Sequence, residues 1–177
     1  MTTASTGGVD HRFAAALDTL YRACIWSAGI AIALMSLIIP VGVFMRYVLG
    51  VGAQWPEPIA ILLMMVFTFI GAAAAYRAGG HIAVTMLTER VPQRWQRRLS
   101  RLIDLLMLLV CAFVAGFGAR LCVQTLGQSV AELPWLPVGV TYAAIPLGAL
   151  ATAAFVLEHL LAGPQRQRAV VAFGEAG

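Results

Sequence analysis

Charge is what this 177-residue chain has least of. Only 11% of its residues are Asp, Glu, Lys or Arg, against about 25% in an average soluble domain. Lysine is absent, so all twelve basic residues are Arg. Hydrophobic residues make up 60% of the chain and mean hydropathy is +0.85. That balance excludes a soluble globule and defines an integral membrane protein. Cysteine is also scarce: Cys24, Cys111 and Cys122 are odd in number, form no CxxC and fall in or beside apolar runs. They read as small buried hydrophobes, not as disulfides or metal ligands. HExxH and Gly-x-Ser-x-Gly are missing, and Gly50-Val51-Gly52 is a turn without the rest of a phosphate loop. With no Walker motif, the chain is not expected to hydrolyse ATP.

What is present is organised around Arg46 to His81. There, the run Pro58 to Tyr76 holds 19 residues without a charge. At 1.5 Å per residue it rises about 28 Å, close to the thickness of a bilayer's hydrocarbon core. Charges and aromatics stand at both ends, and Thr68 is the one clearly polar side chain between Ile59 and Ala75. A run that is apolar all round suits lipid.

The same pattern recurs three more times, which predicts an all-α integral membrane protein of one domain with four transmembrane helices. The spans lie at about 24–44, 58–76, 102–119 and 138–157. Residues 1–10 are small and polar, and disorder is expected there. Phe13, Leu17, Leu20 and Cys24 fall on one helical face. They read as an interfacial amphipathic helix feeding the first span, or as the exposed end of that span. A cleaved signal is a minor alternative, with Val51-Gly52-Ala53 as a passable site, but the run is too long and begins too late. Pro40 lies in span one and Pro146 in span four, where a kink covered by a neighbouring helix is expected. The small residues Gly71 to Ala75 would let another backbone approach.

Residues 77–101 form a basic amphipathic stretch. Trp95, Leu99 and Leu102 share one face, while Arg94, Arg97, Arg98 and Arg101 take the other. With spans on both sides, Arg94, Trp95, Arg97 and Arg98 read as membrane-surface residues, not as a nucleic-acid patch. Asp104 lies about one turn into span three. The spacing predicts a local ion pair with Arg101, and the alternative is a proton or ion site. Ten of the twelve Arg lie before span one, between spans two and three, or after span four. Only Arg46 and Arg120 lie on the other side. The positive-inside rule therefore puts both termini in the cytoplasm. No constellation for catalysis is visible, and no histidine of His11, His81 and His159 falls at mid-membrane, as an axial haem ligand would.

In order along nearly the whole chain stand Arg46-Tyr47, Trp55 with Glu57, Gly71-Ala72, Arg77, Gly80 and His81-Ile82. After the basic loop come Ser129, Leu133, Leu136-Pro137, Tyr142, Pro146 and Gly148. This series resembles the small membrane subunit of TRAP (tripartite ATP-independent periplasmic) transporters, often labelled the C4-dicarboxylate type. Two positions depart from the family: Pro56 stands where the first of two acids usually follows the Trp, and Val130 stands where a Pro often adjoins the Ser.

The resemblance implies a multi-pass protein of the bacterial inner membrane with no cofactor or enzyme activity of its own. It implies a large TRAP membrane subunit as partner, carrying the substrate and the sodium coupling, and a periplasmic substrate-binding protein that delivers an organic acid. The small subunit would act as scaffold. Arg46, Trp55 and Glu57 then become candidates for pinning the outward turn and touching a partner. Aromatic-belt anchoring for Trp55 and snorkelling for Arg46 are the plainer readings. Ser129, Pro137, Tyr142 and Pro146 are further interface or structural candidates. Arg77 and His81 would order the cytoplasmic loop, with helix capping or a surface position as the plainer role for His81. Rival classes are a stand-alone four-helix transporter and the membrane anchor of a redox complex.

Overall fold

A computed structural model describes residues 9–79 and 93–162, with side chains over 13–79 and 98–160. Long helices dominate: α1 (Val9–Tyr47), α2 (Pro56–Arg77), α3 (Gln93–Thr125), the short α4 (Val138–Tyr142) and α5 (Ala144–Ala162). The spans are carried by α1, α2, α3 and the pair α4–α5, each long and apolar enough to cross a membrane. In lipid no water is available to the backbone, so uninterrupted helices are the form such runs take.

The helices extend past the expected spans. α1 starts at Val9, inside the stretch expected to be disordered, and runs 39 residues without a break. That is about 58 Å, well beyond one hydrocarbon thickness. Its early stripe is protein-facing: Leu17 and Cys24 are buried, although Phe13 stays exposed. Pro40 leaves α1 helical on both sides. α3 is helical from Gln93, so Arg94 to Arg101 lie on the helix that forms the span, and it continues to Thr125 instead of closing at Ala119.

Pro146 has the larger effect. Lacking an N–H, it cannot bond the carbonyl of Tyr142 one turn earlier. The helix is interrupted at that point, between α4 and α5. Beside the break, a Cβ placed on Gly118 of α3 would lie 3.1 Å from the Pro146 ring.

Between α3 and α4 stands a small hairpin that the sequence pattern did not announce. β1 (Ser129–Val130) pairs antiparallel with β2 (Leu133–Pro137), Ser129 opposite Pro137 and Val130 opposite Leu133, with a bulge between the first two. Leu133 and Leu136 anchor it by burial, while Trp135 projects outward at 72% exposure.

Across the molecule the packing order is α1, α2, α5, α3. α1 and α3 therefore form two edges, and their outer faces carry exposed Ile, Leu, Val and Phe. A hydrophobic core lies toward the end of the bundle where α2 finishes. Leu17, Cys24, Ala73, Ala74 and Phe155 meet there, flanked by Tyr21, Ile70, Tyr76 and Ala154. The small run in α2 serves this contact through Ala73 and Ala74, whereas Ala72 and Ala75 face outward. At the other end Gly42 of α1 leaves room for Pro56, whose Cβ would sit 2.8 Å from an added methyl.

Candidate functional site

With an even number of spans, the ends of α1, α2, α3 and α5 that bear Asp18, Arg77, Asp104 and Glu158 share one side of the membrane. The structure brings these side chains together. Arg77, in the last turn of α2, donates from Nε to Glu158 Oε2 at 2.8 Å and from Nη2 to Glu158 Oε1 at 2.9 Å. The same Nη2 donates to Asp18 Oδ1 at 2.6 Å. The Arg77 and Glu158 side chains are 10% and 6% exposed, while Asp18 reaches solvent at 46%. The guanidinium carbon lies 5.1 Å from the Tyr21 ring centre and 5.3 Å from that of Phe155. Those two rings meet edge to face at 6.3 Å. One cation is thus held by two carboxylates and two aromatic rings, a set that only a planar, five-donor group can satisfy at once.

A second group adjoins the first. Asp104 of α3 is 5% exposed. His159 Nδ1 lies 3.1 and 3.0 Å from its two carboxylate oxygens. The Tyr76 hydroxyl donates to Oδ1 at 3.4 Å. An ionised carboxylate only accepts, so it can engage Nδ1 only when that nitrogen bears a proton. Because Tyr76 and Arg77 are adjacent on α2, and Glu158 and His159 adjacent on α5, the two groups form one clasp. It ties α1 to α2, α2 to α5, and α5 to α3.

Asp104 does not pair with Arg101, contrary to the spacing argument. Arg101 remains exposed at the surface, while Asp104 turns inward to α5 and α2. Two residues on one helix share a neighbourhood at i, i+3, but a long Arg side chain gains more from water and headgroups. Arg77 acts between helices, well beyond the loop-ordering role expected of it. His81 lies outside the described residues, as do the side chains of Arg94, Trp95 and Arg97; Arg98 is exposed. Asp18, Tyr21, Tyr76, Glu158 and His159 escaped the motif search. The signal for them was opposite charge at equal depth: two acids and one Arg at the same-side ends of three spans.

On the outward side the candidates are more dispersed. Arg46 is exposed in the last turn of α1, and Trp55 stands before Pro56 and the exposed Glu57 at the start of α2. Glu57 and Tyr142 both line a cavity of about 290 Å³, together with Ile61, Met65, Glu132 and Thr141. Ser129 and Pro137 face each other across the hairpin. Among the described residues no three His, Cys, Asp or Glu side chains converge to hold a metal ion. His159, the one histidine with a described side chain, is engaged by Asp104 at the membrane edge.

Four membrane-crossing helices clasped by an internally satisfied charge cluster define a multi-pass membrane protein. Its buried polar groups serve helix assembly. Residues 35–166 match the model of one family, the DctQ component of tripartite ATP-independent periplasmic transporters. The chain belongs to that family, as the small permease subunit of a TRAP transporter, a multi-pass protein of the bacterial inner membrane. A similar protein from Haemophilus influenzae, named as a TRAP transporter small permease protein, is 28% identical over 130 residues. That match covers 73% of this chain and 80% of the other. The family is one of transporter components.

Proposed function

We propose that this chain is the stationary membrane frame on which a larger, substrate- and sodium-carrying TRAP subunit works, in uptake of an organic acid delivered by a periplasmic binding protein. One observation carries the reading: the buried acids Asp104 and Glu158 are both engaged by neighbouring helices at the cytoplasmic end. A carrier must leave polar groups available to its cargo and must let helices move past one another. This clasp does the opposite, because it fixes α1, α2, α5 and α3 as a set. No enzyme activity is assigned to it. The exposed apolar edges on α1 and α3 suit burial against lipid and a membrane partner. At the outer surface Arg46, Trp55 and Glu57 are available for contact with a partner.

The test is reconstitution. Vesicles holding this chain alone should take up no radiolabelled organic acid, while vesicles also holding the large subunit, supplied with binding protein and a sodium gradient, should. Uptake by the lone chain would overturn the proposal. Arg46→Ala and Trp55→Ala should lower the yield of the large subunit co-purified with this chain. Unchanged yields from both would remove those residues from the interface.

A further inference from the structure

Two of the chain's eight acids, Glu57 and Glu132, stand at the end of the bundle opposite the clasp. Both line one cavity of about 290 Å³, which three separate elements enclose. Glu57, Ile61 and Met65 recur every fourth residue down one face of α2. Val138 and Thr141 of α4 supply a second wall, and the turn between β1 and β2 adds Glu132. The break at Pro146 explains the gap. Short α4 packs chiefly on α3, so its side toward α2 is left open.

The lining is ordered by depth. Glu57 immediately precedes the charge-free run that starts at Pro58. Met65 lies eight residues, about 12 Å, further toward the membrane centre. Acid therefore stands at the membrane boundary, with apolar wall below it. Among the described residues neither carboxylate has an ion-pair or hydrogen-bond partner. The two arginines at this end, Arg46 and Arg120, line no part of the cavity. Thr141 gives an independent sign: its Oγ1 is enclosed and has no hydrogen-bond partner. Buried polar groups are ordinarily bonded, so this hydroxyl can still accept from a donor that enters the cavity.

We infer that this cavity receives a basic side chain, arginine or lysine, from a membrane-spanning partner protein. A snorkelling side chain lays its methylene stem along apolar surface and lifts its cationic head to the membrane boundary. That is the order of this lining, Met65 and Ile61 below and two carboxylates above. A protein approaching from the aqueous side would drive the cation past the carboxylates and onto the apolar wall. A bare metal ion would gain nothing from Ile61 and Met65, and among the described residues no three His, Cys, Asp or Glu converge to hold one. Naming the partner as the large TRAP subunit rests on the function proposed above, whereas the preference for an amphipathic cation does not.

The experiment has two arms. The first takes the full-length chain in neutral detergent with n-butylguanidinium, which carries the arginine head on a short alkyl stem. Saturation-transfer NMR should show it bound. The double variant Glu57→Gln with Glu132→Gln should weaken binding roughly tenfold, as charge-assisted hydrogen bonds give way to neutral ones. Ile61→Trp, which fills the cavity and keeps both carboxylates, should weaken it too. Equal binding by the double variant and the unaltered chain overturns the inference. So does displacement of the guanidinium by equimolar calcium, which would make the cavity a metal site. The second arm coexpresses the large subunit. The double variant should retain about a tenth as much of it through purification, with the unfolding midpoint of the chain by itself unchanged. An unchanged yield overturns the inference. An unaltered chain that retains no large subunit overturns the proposed function instead, and the first arm then decides the cavity.

Discussion

Arg77 and Glu158 are 81 positions apart in sequence and meet as a two-point pair, Nε to Oε2 at 2.8 Å and Nη2 to Oε1 at 2.9 Å. Both are almost fully enclosed. Removing one member leaves the other charge buried, which costs roughly 3–5 kcal/mol. Arg77→Ala should therefore unfold at markedly lower temperature or denaturant than the unaltered chain in the same detergent. Arg77→Lys should recover only part of the loss, since one ammonium cannot span both carboxylate oxygens and Asp18 while facing two rings. The double variant Arg77→Ala with Glu158→Ala should lose less than the sum of the single variants. Strict additivity would mean that the pair is not a unit.

Asp104 and Arg101 offer a sharper contrast, because spacing alone paired them. The structure gives Asp104 to His159 and Tyr76, which predicts unequal outcomes. Asp104→Ala should cost about 1–3 kcal/mol by leaving the Tyr76 hydroxyl and the His159 ring without their acceptor. Arg101→Gln, an exposed change, should stay within about 0.5 kcal/mol of the unaltered chain. Thermal unfolding of both variants decides it. A large loss from Arg101→Gln with none from Asp104→Ala would restore the local ion pair.

These cases mark what could be read from the chain and what could not. Hydropathy is a local quantity, so the four crossings were legible from Pro58 to Tyr76 and its counterparts. Arginine placement is also additive along the chain, and the expected sidedness rests on it alone. The clasp was not legible, because Asp18, Arg77 and Glu158 are each unremarkable at the end of a span. Only the packing order, α1 to α2 to α5 to α3, makes them neighbours. The extension of α3 past Ala119 was hidden by reading Arg120 as a stop, although a snorkelling side chain does not end a helix. The hairpin escaped because a two-residue β1 is too short for any period to register.

Thr141 carries a different sort of signal. Its Oγ1 is buried and has no hydrogen-bond partner, beside the cavity that Glu57, Glu132 and Tyr142 help to line. Other hydroxyls on these helices bond back to a carbonyl one turn earlier, as Thr125 does to Leu121 at 2.7 Å and Thr152 to Gly148 at 2.9 Å. Thr141 has an extended residue, Pro137, four positions before it and makes no such bond. A buried unsatisfied hydroxyl costs about 1–3 kcal/mol, so Thr141→Val, with nearly the same shape, should raise stability. Thr152→Val should not. A Thr141→Val variant that melts lower than the unaltered chain would show that the hydroxyl has a partner in the membrane.

Gly148 marks a close backbone approach between two spans. A Cβ there would lie 2.6 Å from both the carbonyl carbon and oxygen of Phe69 on α2. The obstacle is backbone, which cannot swing aside as a side chain can. Gly148→Ala should therefore force α5 away from α2, at the 1–3 kcal/mol or so typical of overpacking. Because Glu158 lies about 15 Å further along the same helix, the displacement should also loosen its grip on Arg77. Gly29→Ala supplies the comparison: nothing lies within 4 Å of its added methyl, and Ala is the better helix former by about 1 kcal/mol. It should leave stability unchanged or raise it. The unfolding midpoint of Gly148→Ala should fall below that of the unaltered chain, and that of Gly29→Ala should equal or exceed it; a Gly148→Ala chain as stable as Gly29→Ala would show that α2 and α5 are not in backbone contact.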